Sequence, residues 1–141
     1  MVSGLRGSLG LNAPATAQEQ ARALEALGSL GLRELAPRQV GELSYGELRK
    51  LLIARAMVNG PALLLLDEPL AGLDVDSRAQ VARILADLAA RGVGLLLVTH
   101  HPGDLLPCLT HALVLERGRV TYAGPLAGRP SHGHGNFTLV D

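Results

Sequence analysis

Apolar positions recur at helical spacing early in the chain. Thr16-Ala-Gln-Glu19 has the spacing of a capping box, Ala21, Leu24 and Leu27 follow it, and Gly28 closes the segment. The stretch 30–40 has no clean period, contains Pro37 and reads as a loop-rich connection. Ser44-Tyr-Gly-Glu47 repeats the capping-box spacing and predicts a second helix, with Leu48, Leu51 and Leu52 inward and Asn59-Gly60 at its end. The run 62–66 is continuously apolar and lies between Pro61 and Asp67. It is too short for a helix, so it predicts a strand buried on both faces. Asp74 or Asp76 then caps a third helix, with Val81, Ile84, Leu85 and Leu88 on one face and Gly92 beyond its end. A second buried strand over 93–98 runs into the polar cluster Thr99-His100-His101. After a short helical segment at 104–108, the stretches 112–115 and 119–122 predict a hairpin around Arg117-Gly118.

The order helix, helix, strand, helix, strand, hairpin is that of an α/β protein with a parallel core. Met1 to Pro14 is Gly-rich, shows no clean period and reads as irregular, and no internal repeat is evident. From Gly124 onward the chain is rich in Gly, Pro and His, and 125–141 reads as a flexible tail.

Composition narrows the picture. The chain has 141 residues, 48% of them hydrophobic, yet only Tyr45, Tyr122 and Phe137 are aromatic, so the core is aliphatic. Thirteen basic residues balance thirteen acidic ones, so no global field draws the chain to nucleic acid or an anionic membrane. Basic residues are scattered and stacking aromatics nearly absent, which argues against a nucleic-acid module. Cys108 is the single cysteine, so an internal disulfide is excluded and a reducing compartment is expected. The N-terminus does not have the pattern of a signal peptide, and no apolar run is long enough to span a bilayer; a cytoplasmic location is the expectation.

The candidate chemistry lies at strand ends. In open α/β sheets the ligand crevice lies outside the carboxyl ends of the strands. Asp67, Glu68 and His100 all fall there, so they are expected to converge. Adjacent carboxylates after an apolar strand can divide two tasks, one holding magnesium and the other orienting an attacking water. An imidazole beside them can donate to a phosphate oxygen. At 43–47, a helix N-terminus with unpaired N–H groups, a Ser44 hydroxyl and a small Gly46 is a phosphate-binding geometry. An ordinary capped helix has the same five residues. Cys108 reads as an inert thiol, and His132 and His134 lack a nearby third metal ligand.

Taken as an ordered set, Leu43-Ser44-Tyr45-Gly46-Glu47, then Leu63 to Pro69 with Asp67-Glu68, then Ala71-Gly-Leu-Asp74, then Val98-Thr-His100 resembles the ATP-binding cassette (ABC) ATPase family. The resemblance implies a partial P-loop NTPase-like fold, with part of a helical subdomain and a parallel-sheet core over residues 1–124. It implies ATP and Mg2+ as cofactors. Asp67 would be the magnesium-supporting carboxylate, Glu68 the catalytic glutamate and His100 the switch histidine. Ser44, Tyr45, Gly46 and Glu47 would form the signature motif, and Asp74 would end the loop that crosses a cassette interface. The partners implied are a second ABC ATPase domain in a head-to-tail dimer and a membrane permease.

Three departures matter. No Gly-x-x-x-x-Gly-Lys-Ser/Thr occurs in the chain, so the loop that cradles phosphates is absent from it and the isolated chain is expected to be inactive. The resemblance therefore implies the C-terminal half of a cassette. Tyr45 and Glu47 replace the Gly and Gln usual in the motif. With His100-His101, Asp104, Cys108 and Thr110-His111, they are similar to the molybdenum-transport and photorepair-associated subgroup. A soluble, non-transport ABC ATPase or a non-catalytic half-cassette are the alternative roles.

Overall fold

The computed structural model describes residues 14–128 and 136–140. They fall into two compact units, one of 14–61 with Leu73–Ser77, the other of Ala62–Gly72 with 78–128 and 136–140.

In the first unit both capping boxes form as the spacing predicts. Thr16 accepts from the Glu19 amide while Glu19 reaches back to the Thr16 amide, opening α1 (Ala17–Ser29). Ser44 and Glu47 do the same for α2 (Tyr45–Met57). The faces differ from the expectation. In α1, Ala23 and Leu27 are buried while Leu24 is exposed; in α2, Gly46, Ile53 and Ala54 are buried and Leu52 is exposed. The connection between them is two 3-10 turns, Arg33–Leu35 and Val40–Glu42, with Leu32 and Leu35 buried.

In the second unit the described strands form one sheet: β1 (Leu63–Asp67), β2 (Gly94–Thr99), β3 (His111–Glu116), β4 (Arg119–Pro125) and β5 (Asn136–Val140), ordered β1-β2-β5-β3-β4. β1 and β2 pair in parallel, joined through α3 (Val75–Ala90), whose first turn belongs to the first unit; the remaining pairs are antiparallel. Val81, Leu85 and Leu88 of α3 are buried, as are Leu95 and Leu97 of β2 and Ala112 and Val114 of β3. The hairpin turns at Arg117 and Gly118, both with positive φ, a two-residue turn whose twist matches that of the flanking strands.

Three expectations are corrected. β1 is not buried on both faces: it is an edge strand, and Leu63 and Leu65 are 50% and 71% exposed. The helical segment at 104–108 is a single 3-10 turn, Pro102–Asp104. The region 125–141 is not all tail, because Asn136–Val140 is a strand inserted between β2 and β3. His132 and His134 lie outside the described residues, as do residues 1–13 of the opening segment read as irregular.

Leu85→Ala, at a fully buried site, is expected to cost about 2–5 kcal/mol in urea unfolding, whereas Leu65→Ala is expected to cost less than about 1 kcal/mol. Equal losses at the two positions would contradict the edge placement of β1.

Candidate functional site

The parallel register sets Asp67 opposite Val98, so each strand's last residues emerge at the same end of the sheet. The chain turns sharply there. Glu68 has φ 44, a left-handed conformation rare outside glycine, and its amide bonds to the Val98 carbonyl at 2.9 Å. This turn aims the Glu68 side chain across to the end of β2. Its Oε1 accepts from the His100 amide at 3.1 Å and lies 2.5 Å from His100 Nδ1, while Oε2 is 3.2 Å from the Thr99 hydroxyl. Glu68 and His100, singled out from sequence, are thus brought together in the second unit.

With Nδ1–H given to Glu68, Nε2 is the ring nitrogen left to a ligand; it accepts when the ring is neutral and donates when it is protonated. Burial pushes the Glu68 carboxyl up. The hydrogen bonds from the His100 ring and amide, with the imidazole's charge, outweigh it, so the net direction is below the ordinary 4.5. Asp67 is exposed at the strand end. Among the described residues no group of three or more His, Cys, Asp or Glu is placed to hold a metal. A magnesium ion fits that situation only with one or two carboxylates, waters and phosphate oxygens, which is its usual coordination.

Two residues support this pair from beneath. Thr99 is fully buried, its hydroxyl also lies 3.0 Å from Asp104 Oδ2, and it accepts from the His101 amide at 3.1 Å. Asp104 is buried as well, and its Oδ1 pairs with the Arg78 guanidinium. The sequence offered one signal for these roles, a polar residue closing an aliphatic strand; nothing in it tied Arg78 to Asp104.

The other sequence-selected residues lie in the first unit. Ser44 is taken up by capping, accepting from the Glu47 amide at 3.2 Å, which leaves its own hydroxyl proton free to donate. Glu47 is anchored by the Ser44 amide at 2.8 Å and by Arg38 at 2.6 Å, and Arg38 also donates to the Glu42 carbonyl at 2.5 Å. The Ser44 bonds, with the Arg38 charge behind them, hold the Glu47 carboxyl below its ordinary value against its desolvation. Tyr45 is exposed and its hydroxyl receives Arg49 at 2.7 Å. Gly46 has a packing reason for its size: a Cβ there would fall 2.7 Å from Ser77 Cβ. Asp74 caps α3 by accepting from the Ser77 amide at 2.9 Å, and that bond is the main cause of its lowered pKa.

The family model described as ABC transporter matches residues 5–71, which include the Ser44 to Glu47 turn, Asp67 and Glu68; Asp74 and His100 lie beyond it. A phosphonates import ATP-binding protein of Nostoc sp. is 43% identical over 103 residues, 72% of this chain and 42% of that protein. A molybdenum import ATP-binding protein of Mycobacterium tuberculosis is 38% identical over 112 residues, 79% of this chain and 30% of that protein. A dimeric ATP-binding cassette solved in a post-hydrolysis state with ADP and Pi superposes with TM-score 0.67 at 26% identity, over 89% of this chain and 54% of that one. The chain spans less than half the length of these two curated relatives.

The fold is that of a mixed α/β chain of the P-loop NTPase class, in the form of an ATP-binding cassette. The chain belongs to the ABC transporter ATP-binding family.

Two outcomes follow from this geometry. Gly46→Ala is expected to destabilise the chain by about 1–3 kcal/mol, and Ser77→Gly to recover much of that loss in a double-mutant cycle. The lowered Glu68 pKa contributes stability that is complete above 4.5 and is lost as pH falls through the folded-state value. In acid unfolding, the stability gap between the native chain and Glu68→Gln is therefore expected to close as pH drops below 4.5; a gap that stays constant would exclude the bonded carboxylate.

Proposed function

We propose that the chain is the C-terminal part of an ATP-binding cassette that hydrolyses ATP to drive an importer. In this reading Asp67 supports Mg2+, Glu68 orients the attacking water, and His100 donates from Nε2 to the terminal phosphate. Ser44, Tyr45, Gly46 and Glu47 face the nucleotide of a second cassette in a head-to-tail dimer, and Asp74 shapes the loop beside that interface. The observation that carries it is the Glu68 carboxylate, fixed by the His100 ring and amide at the carboxyl end of a parallel strand pair. Phosphoryl transfer asks for this kind of part: a positioned acceptor for water beside a donor for the developing phosphate charge.

The partner proposals have separate support. The dimeric cassette among the solved structures supports a second ATPase domain, and the import relatives support a membrane permease. Among the described residues no helix is long and apolar enough to cross a membrane, in keeping with a cassette that sits at the cytoplasmic face of such a permease. Residues 1–124 are read as part of one cassette domain. Because Asn136–Val140 joins the same sheet, that domain continues past Gly124. Tyr45 and His100-His101 favour a molybdate-type importer, but the phosphonates relative is the more similar of the two, so the proposal names an importer and leaves its cargo open.

The isolated chain is proposed to be inactive, since it holds no phosphate-cradling lysine loop. Placing the phosphate-loop half of the phosphonates relative ahead of it should yield magnesium-dependent ATP turnover. Glu68→Gln in that chimera is expected to lower kcat by about 10²-fold or more while ATP binding persists. Turnover indifferent to that substitution would sink the assignment.

A further inference from the structure

The Thr99 hydroxyl sits between two carboxylates, Glu68 Oε2 at 3.2 Å and Asp104 Oδ2 at 3.0 Å, and it has one proton to give. Its acceptor side is already engaged by the His101 amide. Where the proton goes can be decided from burial. Asp104 is 1% exposed; an oxygen of that carboxylate facing a hydroxyl lone pair would have no water to turn to, and such a buried mismatch is costly. Glu68 has 28% of its side chain exposed and already receives two bonds from His100, so its outer oxygen has solvent as an alternative donor. The Arg78 guanidinium pairs with Asp104 Oδ1, and a carboxylate in such a pair is a strong acceptor.

We propose that Asp104, held by Arg78, claims the Thr99 proton and thereby keeps Glu68 Oε2 an open acceptor, making Asp104 a positioning residue for the glutamate it never touches. The carboxylate of Glu68 is then divided. Oε1 is anchored to His100, and Oε2 presents an undonated lone pair to whatever water or ligand proton enters. Removing the charge of Asp104 while keeping its shape would release the Thr99 hydroxyl to rotate onto Oε2 and occupy it. The functional consequence rests on the proposed hydrolytic reading; the proton placement does not.

The two are tested separately. Neutron diffraction from the deuterated 141-residue chain is expected to place the Thr99 deuteron toward Asp104 Oδ2, and in Asp104→Asn toward Glu68 Oε2. A native deuteron pointing at Glu68 overturns the proposal without any assay. In the ATP-hydrolysing chimera, Asp104→Asn is expected to lower kcat about tenfold with KM unchanged, the cost of one misplaced bond to a charged group. Thr99→Val combined with Asp104→Asn should recover most of that loss, because no hydroxyl remains to block Oε2. A double variant as slow as the single one would show ordinary structural damage and overturn the proposal. A chimera with no turnover at all would instead remove the hydrolytic reading and leave the neutron result to decide the proton.

Discussion

The parallel pairing of β1 with β2 governs where the candidate groups of this chain meet, because strand register decides which side chains come together at the sheet's end. Leu63 aligns with Gly94 and Asp67 with Val98, so the Glu68 amide reaches the Val98 carbonyl as the ladder's last rung. That bond pins the backbone of Glu68 in its left-handed turn. A slip of one residue would point every side chain of β1 to the opposite face and move the carboxylate away from His100. Register in turn depends on the aliphatic packing of β2, where Leu95, Leu97 and Thr99 share one buried face. The hydroxyl of Thr99 is the polar end of that same hydrophobic row.

Much of this was legible in the residues. Two capping boxes set both helix starts, since Ser or Thr followed three residues later by Glu satisfies two orphan amides locally and needs no tertiary help. Apolar runs of strand length ending in Asp67-Glu68 and Thr99-His100 placed the candidate groups at carboxyl ends, and the parallel pairing of β1 with β2 brought Glu68 and His100 together. Burial was harder to read. Leu24 and Leu52 fit a helical stripe yet are exposed, because a stripe's width is set by the partner surface rather than by the helix that carries it. β5 was missed because a polar, Gly-rich and His-rich approach reads as tail, while five residues can pair as a strand when neighbouring edges are open on both sides. The Arg78 to Asp104 pair was invisible for a different reason: no period links a helix residue to an acid in a turn beyond the next strand.

The signature-like turn shows how a familiar pattern can be held by different forces. Gly46 invites an explanation by close approach of a phosphate, but its own fold already requires a small residue there, because Ser77 occupies the space a methyl group would take. Glu47 brings a negative charge to a helix N-terminus, where it suits the macrodipole but opposes a bound anion. Arg38 meets that carboxylate directly, so the local field at the turn is nearer neutral than the sequence of the motif suggests. Tyr45 adds bulk, and Arg49 beside its ring adds a cation. The phosphate contact proposed for this turn would therefore rest on the Ser44 hydroxyl proton and the helix's first amides rather than on net charge.

A last consequence concerns β1. A strand of four consecutive leucines has the composition of one covered on both faces, yet in this chain only Leu64 is fully buried and Leu65 stands open. Water against leucine at these positions is unfavourable by about 25 cal/mol for each Å² of apolar surface. An exposed edge ladder would also recruit other strands. The same strand ends in the carboxylate pair proposed to hold magnesium and water. A covering layer that buried Leu63 and Leu65 would stiffen that end and exclude solvent from one side of it, tightening the electrostatics on which the proposed hydrolysis depends. The fold of this chain and the chemistry proposed for it thus place the same demand on the open face of β1.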